Sequence, residues 1–470
     1  MITSQQHRVL FVAYQFPPVG GVGVHRVTKF VKYLPQHGWN STILTVSNPS
    51  VPLHDQSLLK DIPAGSLIRR AKTYEPGYGL KKKVSGGQGT GKKNLLVSAI
   101  KSGIRAVGNT LLQPDSQVLW HPHAYRDGLK ILKDVHHDAI VATGPPFSSL
   151  LLGAKLAKRT GLPLILDYRD EWDISNAYWE NKSQSRLSNW IQTRQQHKAL
   201  KAARSILATT PSSAAAVGEI ANQAGSDAVA SHIYNGFDPD DFPMDVSLEK
   251  EDFGNGTSRF RLAFIGTLWN LNSIEPVVNA LEMLNQTSPA IANEIELLLA
   301  GRRTEEQEAI VDRLKETAVA VSRLPFIDHT QAVQLMRTAD SLLMINSDLP
   351  KTQRIINAKT FEYMAAKRPM FVVAPEGDVW DVVRDLPGTV LCEPKMISNI
   401  ADQLSLLVEQ HRCGVEYSSG DWNINHFHRR QLAGELASLL NQTIRQESQS
   451  VSRFRSLFMG RDVQLDPEGS

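Results

Sequence analysis

Cysteine is nearly absent from this chain of 470 residues, which contains only Cys392 and Cys413. Two cysteines are too few for a disulfide framework, and these two lack the short spacing of a metal site, so we expect a reducing compartment. The chain also lacks a large excess of either positive or negative charge. The chain has 51 basic and 48 acidic residues, a net charge of +3, whereas a dedicated nucleic-acid binder carries a concentrated basic face. We therefore expect no nucleic-acid partner.

Long apolar runs are also lacking. No stretch approaches the roughly 18 apolar residues that a membrane-spanning helix needs. The N-terminal segment MITSQQHRVLFVAYQF has a short apolar run without a cleavage-site pattern, which indicates a buried strand rather than a signal peptide. We expect a cytoplasmic protein that at most rests on the inner face of a membrane.

Short β-branched runs alternate with helical segments along most of the chain. One series contains RVLFVAY, NSTILTV, HDAIVATG, LPLILDY, RSILATT and SHIYNG, and a second contains RLAFIGT, EIELLLAG, SRLPFI, DSLLMINS, PMFVVAP and TVLCEP. Apolar strands separated by helices indicate parallel sheets covered on both faces. The polar stretch 245–258 between the series reads as a linker. We predict an α/β fold of two Rossmann-like, doubly wound domains, 1–245 and 258–415, that face a central crevice.

Several segments fall outside this plan. Residues 74–95 are rich in glycine and lysine, and we expect them to form a basic loop in the first domain. We expect 416–445 to form a helical segment that packs back on that domain, and 446–470 to form a weakly ordered tail. LLVSAIKSGIRAVGNTLL (95–112) has apolar residues at helical spacing among basic ones. Residues 80–112 could therefore contact an anionic membrane surface, although a core-facing helix with a solvated basic edge explains the pattern too.

The first strand runs into a glycine-rich turn. In AYQFPPVGGVGVHRV, Gly20 and Gly21 precede a helix that carries His25 and Arg26. Glycines let a backbone approach a ligand closely, and a helix N-terminus offers free N–H groups. The spacing is not G-x-G-x-x-G, and no acidic residue ends the next strand, which disfavours a nicotinamide cofactor. An ordinary turn explains these glycines equally well.

Six segments in order resemble family-4-type glycosyltransferases, and the resemblance covers most of residues 7–445. They are FPPVGG through YLPQHGWNSTILTV, PDSQVLW, ATGPPFSS, LILDYRDEW, IYNGFDPDDF at the inter-domain hinge, and KTFEYMAAKRPMFVVAP at the donor-site helix. Some are similar to a branch associated with bacterial surface polysaccharides. The resemblance implies the GT-B architecture, a nucleotide-sugar donor, a glycan or lipid-linked acceptor, and transfer with retention at the anomeric carbon.

The donor site is predicted on the helix that follows DSLLMINS. Lys359 and Glu362 are three residues apart and share one helical face, and Asn357 is placed to cap the helix. A carboxylate can accept hydrogen bonds from both hydroxyls of a ribose, the role that the resemblance gives Glu362. Arg354 and Lys359 near a helix N-terminus suit a diphosphate. A solvated Lys–Glu pair remains the simple alternative.

Two departures from the family pattern concern this site. Many members have a sugar-contacting glutamate where this chain has Arg354, and an Arg–Lys pair where FIGTLWNLNSIE offers Gly266, Thr267 and Asn270. We therefore expect backbone N–H groups of the Gly266–Thr267 turn to bind phosphate, with positive charge from Arg354 and Lys359.

The acceptor side is predicted where strands of the first domain end, because open α/β sheets bind ligands at that edge. Arg169 and Asp170 in DYRDEWD could orient a substrate or could form a buried pair that braces the loop, and Thr143 and Gly144 in TGPPFSS could bind the acceptor or cap a helix. The predicted acceptor-side residues are Gly20, Gly21, His25, Arg26, Thr143, Gly144, Arg169 and Asp170. The predicted catalytic residues are Arg354, Lys359, His25 and Asp170.

Three motifs are misleading. GGQGTGKK (86–93) has Lys93 where a phosphate loop needs Ser or Thr, and no strand precedes it. DPD (238–240) imitates the Asp-x-Asp motif of metal-dependent enzymes, but turn chemistry explains it. HPH (121–123) and HH (136–137) lack partners at zinc spacing, and we interpret them as ordinary surface or helix residues. We expect no metal ion and no cofactor, the nucleotide sugar being a substrate.

The sequence thus favours a glycosyltransferase of glycan assembly. A nucleotide-sugar epimerase of the same architecture is an alternative enzyme. A non-catalytic partner protein that keeps the fold is another, because Arg354 replaces the sugar-contacting glutamate. A basic surface-binding scaffold would depend on residues 80–105 instead of the crevice.

Overall fold

The computed structural model describes residues 6–51, 54–77, 112–179, 185–242, 259–415 and 422–459, with side chains as far as residue 446. Most of the predicted basic loop at 74–95 and of the predicted surface segment 80–112 lies outside these ranges, as do the GGQGTGKK motif and the linker 245–258. Part of the predicted segment 416–445 is also outside them.

The first domain is built on one parallel sheet. Its strands among the described residues are β1 (His7–Val12), β2 (Trp39–Val46), β3 (Leu67–Ala71), β4 (Ala139–Gly144), β5 (Leu164–Tyr168), β6 (Ser205–Ala208) and β7 (Val229–His232). Their order is β3-β2-β1-β4-β5-β6-β7. The helices are α1 (Val22–Tyr33), α2 (His121–Asp134), α3 (Ser148–Thr160), α4 (Arg186–Ala202) and α5 (Pro211–Ala224), with a short helix Trp172–Ile174 and a π-helical turn Ser175–Trp179.

Both faces of this sheet are buried under helices. Leu10 and Val12 of β1 belong to one hydrophobic cluster, and the alternate residues Val9 and Phe11 belong to another. This is the packing that a continuous apolar strand requires, because successive side chains of a strand point to opposite faces.

The second domain repeats the plan. Its strands are β8 (Phe260–Ile265), β9 (Ile295–Ala300), β10 (Ala320–Leu324), β11 (Ser341–Ile345), β12 (Met370–Val373) and β13 (Val390–Cys392), in the order β10-β9-β8-β11-β12-β13. The helices are α6 (Glu275–Thr287), α7 (Glu305–Asp312), α8 (His329–Thr338), α9 (Ala358–Ala366), α10 (Asp378–Val383) and α11 (Ile397–Arg412), with a short helix Pro289–Ala292. The predicted α/β class with two Rossmann-like domains is confirmed.

One strand is missing from the sequence prediction. Strand β3 pairs with β2 at the edge of the first sheet, where Leu67 and Ile68 are exposed and two arginines follow. Because an edge strand buries little, it lacks the continuous apolar run that marked the other strands.

The chain crosses between the domains twice, and the two crossings lie side by side. The N–H of Phe237 donates to the carbonyl of Phe427 at 3.1 Å, and the N–H of Arg429 donates to the carbonyl of Phe237 at 2.9 Å. A Cβ atom on Gly236 would stand 2.1 Å from the carbonyl oxygen of Phe427. Glycine is therefore required where the crossings touch.

After the second crossing, helix α12 (Arg429–Met459) returns to the first domain. Its residues Leu432, Leu436 and Leu440 share a hydrophobic cluster with Phe30 of α1. The helix runs as far as Met459 and so includes part of the predicted tail at 446–470. Among the described residues, no helix has an apolar stretch long enough to cross a bilayer.

Candidate functional site

The carboxyl ends of the two sheets face each other across a crevice, and direct contacts join its walls. The Arg354 guanidinium lies 3.0 Å from the Glu171 carboxylate, and the Thr210 hydroxyl donates to the Arg354 carbonyl at 3.0 Å. The Ser212 hydroxyl donates to Asp378 at 2.8 Å. Parallel α/β sheets bind ligands at this edge, so the crevice is the candidate site.

Two residues expected on the acceptor side are buried beneath the crevice instead. Arg26 is 2% exposed, and its guanidinium binds Asp167 at 3.1 Å and the carbonyl of Ile233 at 2.9 Å. The Thr143 hydroxyl donates to the other oxygen of Asp167 at 2.8 Å. A carboxylate buried at the end of β5 requires such partners, so Arg26 and Thr143 belong to a structural network.

Arg169 braces the glycine turn rather than pairing with Asp170. Its guanidinium donates to the carbonyl of Gly23 and, at 3.3 Å, to the side chain of Gln15. The carbonyl of Gly144 accepts the Arg169 N–H at 2.9 Å within the β4–β5 ladder, so Gly144 also has a structural contact. Asp170 is half-buried beside them, and burial raises its pKa while Arg169 opposes the rise.

The glycine turn itself opens toward the solvent. Gly21 is exposed with φ of +104°, a conformation that favours glycine, and its N-cap position begins α1. Gly20 before it is half-buried. No side chain caps α1, so the first N–H groups of the helix have no side-chain acceptor. Together with the glycine turn, they form the edge of the crevice on this side.

The crevice brings His25 of α1 close to Glu362 of α9. Burial lowers the pKa of His25, and the Glu362 carboxylate works against this shift. Burial would raise the pKa of Glu362, but Lys359, His329 and His25 together bring it below its usual value. The Lys359 ammonium lies 2.5 Å from Glu362, and the His329 ring 3.9 Å. At neutral pH the site therefore holds an ionised carboxylate opposite a neutral imidazole.

The same helix shows where the sequence prediction succeeds and where it does not. Lys359 and Glu362 share one face, as their spacing indicated. Asn357 occupies the N-cap position, but its amide donates to Asn346 at 2.7 Å and makes no capping bond. Asn346 is buried, and its own amide donates to the carbonyl of Ile355, so the two amides serve the loop before the helix.

The turn after β8 differs from the expected phosphate loop. The N–H of Gly266 donates to the carbonyl of Ala300 at 2.9 Å, so this group is occupied by the sheet. Gly301 has φ of +127°, and a Cβ there would meet the Gly266 carbonyl at 2.0 Å. Thr267 and Asn270 are exposed in the turn and remain available to a ligand.

Glu171 is one of the crevice residues that the sequence analysis did not predict. It is 4% exposed, accepts hydrogen bonds from Ser213 at 2.9 Å and Arg354 at 3.0 Å, and burial raises its pKa against these partners. The motif DYRDEWD contained the signal, but nothing local showed that its partner would be Arg354. Because of this pair, Arg354 joins the two walls of the crevice.

The DPD motif is part of a lysine–carboxylate network. The Lys29 ammonium lies 2.6 Å from Asp238, 2.8 Å from Asp61 and 2.9 Å from Asp241. Lys32 binds Asp238 at 2.7 Å and Asp240 at 2.8 Å. The three carboxylates around Lys29 are close enough together to hold a cation, and the ammonium supplies that charge. The network ties the first crossing to α1.

No protein-family model and no curated protein matches this sequence. Several solved structures align with the chain over most of its length. HepE from Anabaena in complex with UDP-glucose aligns over 95% of this chain and 99% of its own with a TM-score of 0.50 and 15% identity. The lipopolysaccharide outer core galactosyltransferase WaaB aligns over 93% and 99% with a TM-score of 0.53 and 12% identity. The α,α-trehalose 6-phosphate synthase from Burkholderia multivorans aligns over 96% and 100% with a TM-score of 0.51 and 10% identity. The chain has the GT-B fold. In this GT-B chain, Glu362 and His25 face each other from the two domains.

Proposed function

We propose that this protein is a glycosyltransferase that moves a sugar from a nucleotide-sugar donor to a hydroxyl group of an acceptor. One observation carries the proposal. An ionised Glu362 stands at the crevice edge of the second domain, opposite His25 of the first, in a fold shared with a structure that contains UDP-glucose.

The donor would bind against the second domain. Glu362 accepts hydrogen bonds from ribose hydroxyls, since an ionised carboxylate is only an acceptor. Lys359 supplies positive charge for the departing diphosphate, together with donors from the turn that contains Thr267 and Asn270. Catalysis of this kind requires mainly positioning and stabilisation of the leaving group.

The acceptor would bind against the first domain. His25 and Asp170 line this side, and burial favours the neutral form of each. A neutral imidazole such as that of His25 can orient a sugar hydroxyl by hydrogen bonding without repelling the anionic donor. We further propose a glycan or lipid-linked acceptor and transfer with retention, both on the resemblance of the sequence segments.

We also propose that transfer needs no metal ion. This proposal is supported by the side chains that imitate an Asp-x-Asp motif. Asp238 and Asp240 are engaged by Lys29 and Lys32 at the hinge, so they are not free ligands for a metal–diphosphate complex.

A thermal-shift screen tests the function. Purified protein is melted with UDP-, GDP-, ADP- and dTDP-glucose, alongside Glu362→Gln and, as a matched control, Glu409→Gln on the exposed part of α11. A ligand at 100 times its Kd stabilises the folded state by about 2.7 kcal/mol. We expect one nucleotide class to raise the Tm of the wild type and of Glu409→Gln, and to have little effect on Glu362→Gln.

Two results would contradict the proposal. If none of the donors stabilised the wild type, the proposed donor site would be wrong. If a donor stabilised Glu362→Gln as much as the wild type, the donor would bind away from Glu362. Incubation of the stabilising donor without acceptor separates the rival enzyme, because an epimerase would change the sugar under those conditions.

A further inference from the structure

The guanidinium of Arg429 is buried and unpaired among the residues that the structure describes. The residue is 5% exposed at the first turn of α12, and one guanidinium nitrogen, Nη1, is fully buried with nothing to bind. Within the described ranges its side chain makes no hydrogen bond and no ion pair. Buried charges are normally paired, so an unpaired guanidinium at this depth needs an explanation.

The position of Arg429 in the fold makes its unpaired charge still less favourable. Arg429 begins a helix of 31 residues, and the positive end of the helix dipole lies at its N-terminus. Burial lowers the pKa of Arg429 to about 10, and the nearby charge of Arg26 contributes in the same direction. The fold therefore holds a cation where burial, the helix dipole and the charge of Arg26 all disfavour one, a condition that a bound anion would relieve.

The crossing places Arg429 at the end of the crevice where His25 and Glu362 meet. The ring of Phe361 on α9 lies 6.3 Å from that of Tyr234 in the first crossing and 5.1 Å from that of Phe427 in the second. Glu362 follows Phe361 directly. The Arg429 charge acts on both functional groups, because it disfavours protonation of His25 and is itself favoured by Glu362.

The carboxylates around Arg429 already have partners. Asp238 and Asp241 bind Lys29 at 2.6 and 2.9 Å, and Glu362 binds Lys359 at 2.5 Å. Each attracts Arg429 at longer range without neutralising it. The guanidinium thus provides local positive charge beside the proposed ribose carboxylate.

We propose that Arg429 binds a phosphate group of the nucleotide donor. The inference rests on the proposed function and adds a residue to its donor site. A planar guanidinium matches the geometry of a phosphate with two parallel hydrogen bonds. Arg429 would supply from α12 the positive charge that is lacking in the turn after β8.

Calorimetric titration of the full chain tests the site. The probes are UDP, GDP, ADP, dTDP, inorganic pyrophosphate and uridine. The variants are Arg429→Gln, Arg429→Lys and the control Arg430→Gln, which removes the same charge from the exposed neighbouring position. Loss of a charged hydrogen bond weakens binding about 10- to 100-fold. We expect Arg429→Gln to lose that factor for UDP and pyrophosphate and to bind uridine as the wild type does. The affinity of Arg429→Lys for UDP should lie between those of the wild type and Arg429→Gln, and the affinity of Arg430→Gln should equal that of the wild type.

A structural role would give a different pattern. Without ligand, Arg429→Gln should melt no lower than the wild type, because it removes an unpaired buried charge, and it should raise the pKa of His25 measured by NMR. If Arg429→Gln did not fold, an unchanged UDP affinity in Arg429→Lys would overturn the proposal, because lysine cannot make the bidentate contact.

The failures of the two proposals can be told apart. Wild-type affinity for UDP in Arg429→Gln, with loss of affinity in Glu362→Gln, overturns the role of Arg429 and leaves the proposed function intact. A wild-type protein that binds none of UDP, GDP, ADP and dTDP overturns both.

Discussion

At the scale of single residues, burial determines how the protein responds to acid. His121 in the HPH motif is 7% exposed, and its Nε2–H group donates to the Ser148 carbonyl at 2.8 Å, while Nδ1 faces the Lys155 ammonium at 3.3 Å. Burial lowers its pKa to about 4, although the Ser148 contact opposes the shift. This histidine is thus a buried residue at the start of α2, which agrees with the helix alternative of the sequence analysis and not with the surface alternative.

The lowered pKa of His121 predicts a pH-dependent loss of stability. Between pH 6.5 and 4 the unfolded chain binds a proton that the folded protein does not, so stability falls as pH falls through this window. From pH 7 to 5 His121 should contribute about 2 kcal/mol of that loss. Urea unfolding at both pH values should show a smaller loss for His121→Gln by this amount. Exposed His54→Gln is the control, and an equal loss in all three proteins would contradict the assignment.

Residue-level predictions succeeded where the partners are close in sequence. The Lys359–Glu362 pair follows from helical spacing alone. Long-range pairs carry no such signal. The partners in Arg354–Glu171 are 183 residues apart, and Arg26, expected in the crevice, is held below it by Asp167 at a separation of 141. Only the folded topology brings such charges together.

At the scale of elements, the contact between the two crossings depends on Gly236. A Cβ at this position would stand 2.1 Å from the Phe427 carbonyl oxygen and 2.6 Å from Cδ1 of Leu432. The first obstacle is backbone, which cannot turn away, so Gly236→Ala must move one crossing. Overpacking of this kind costs about 1–3 kcal/mol.

Urea denaturation should show that cost for Gly236→Ala. Gly65→Ala is the matched control, because Gly65 is exposed and its Cβ would meet nothing within 4 Å. The control should lie within about 0.5 kcal/mol of the wild type. Equal stability of the two variants would show that the crossings are free to separate, contrary to the side-by-side arrangement.

Elements with buried faces could be predicted from the sequence, and exposed ones could not. β1 contains the unbroken apolar run VLFV, and β9 contains the run LLLA. The edge strand β3 is mostly exposed and has no such run. The prediction that Asn357 caps α9 was wrong for a related reason. The Asn357 amide donates a hydrogen bond to Asn346, which lies eleven residues earlier, and residue type at the N-cap position does not reveal this contact.

At the scale of the whole molecule, alternation of strands and helices predicted two domains, but it contains no information on how far the crevice opens. The structure is closed by contacts from both walls. Arg354 binds Glu171 at 3.0 Å, Ser212 binds Asp378 at 2.8 Å, and the Tyr178 hydroxyl donates to the Pro350 carbonyl at 2.8 Å. A donor that enters between the domains requires these contacts to open and then re-form.

The Arg354–Glu171 pair should therefore set the balance between closed and open forms. Glu171→Gln keeps the side-chain shape and the Ser213 contact, but it removes the charge that holds Arg354, and a buried pair that loses one partner is strongly weakened. We expect small-angle X-ray scattering to show a larger radius of gyration for Glu171→Gln than for the wild type. Saturating nucleotide should reduce the difference, because its proposed contacts are Glu362 of the second domain and Arg429, whose helix packs on the first domain. The control is Glu376→Gln, which removes an exposed carboxylate from the loop before α10. If both variants scattered like the wild type, closure would depend on the other contacts, and Arg354 would be free to act on the donor alone.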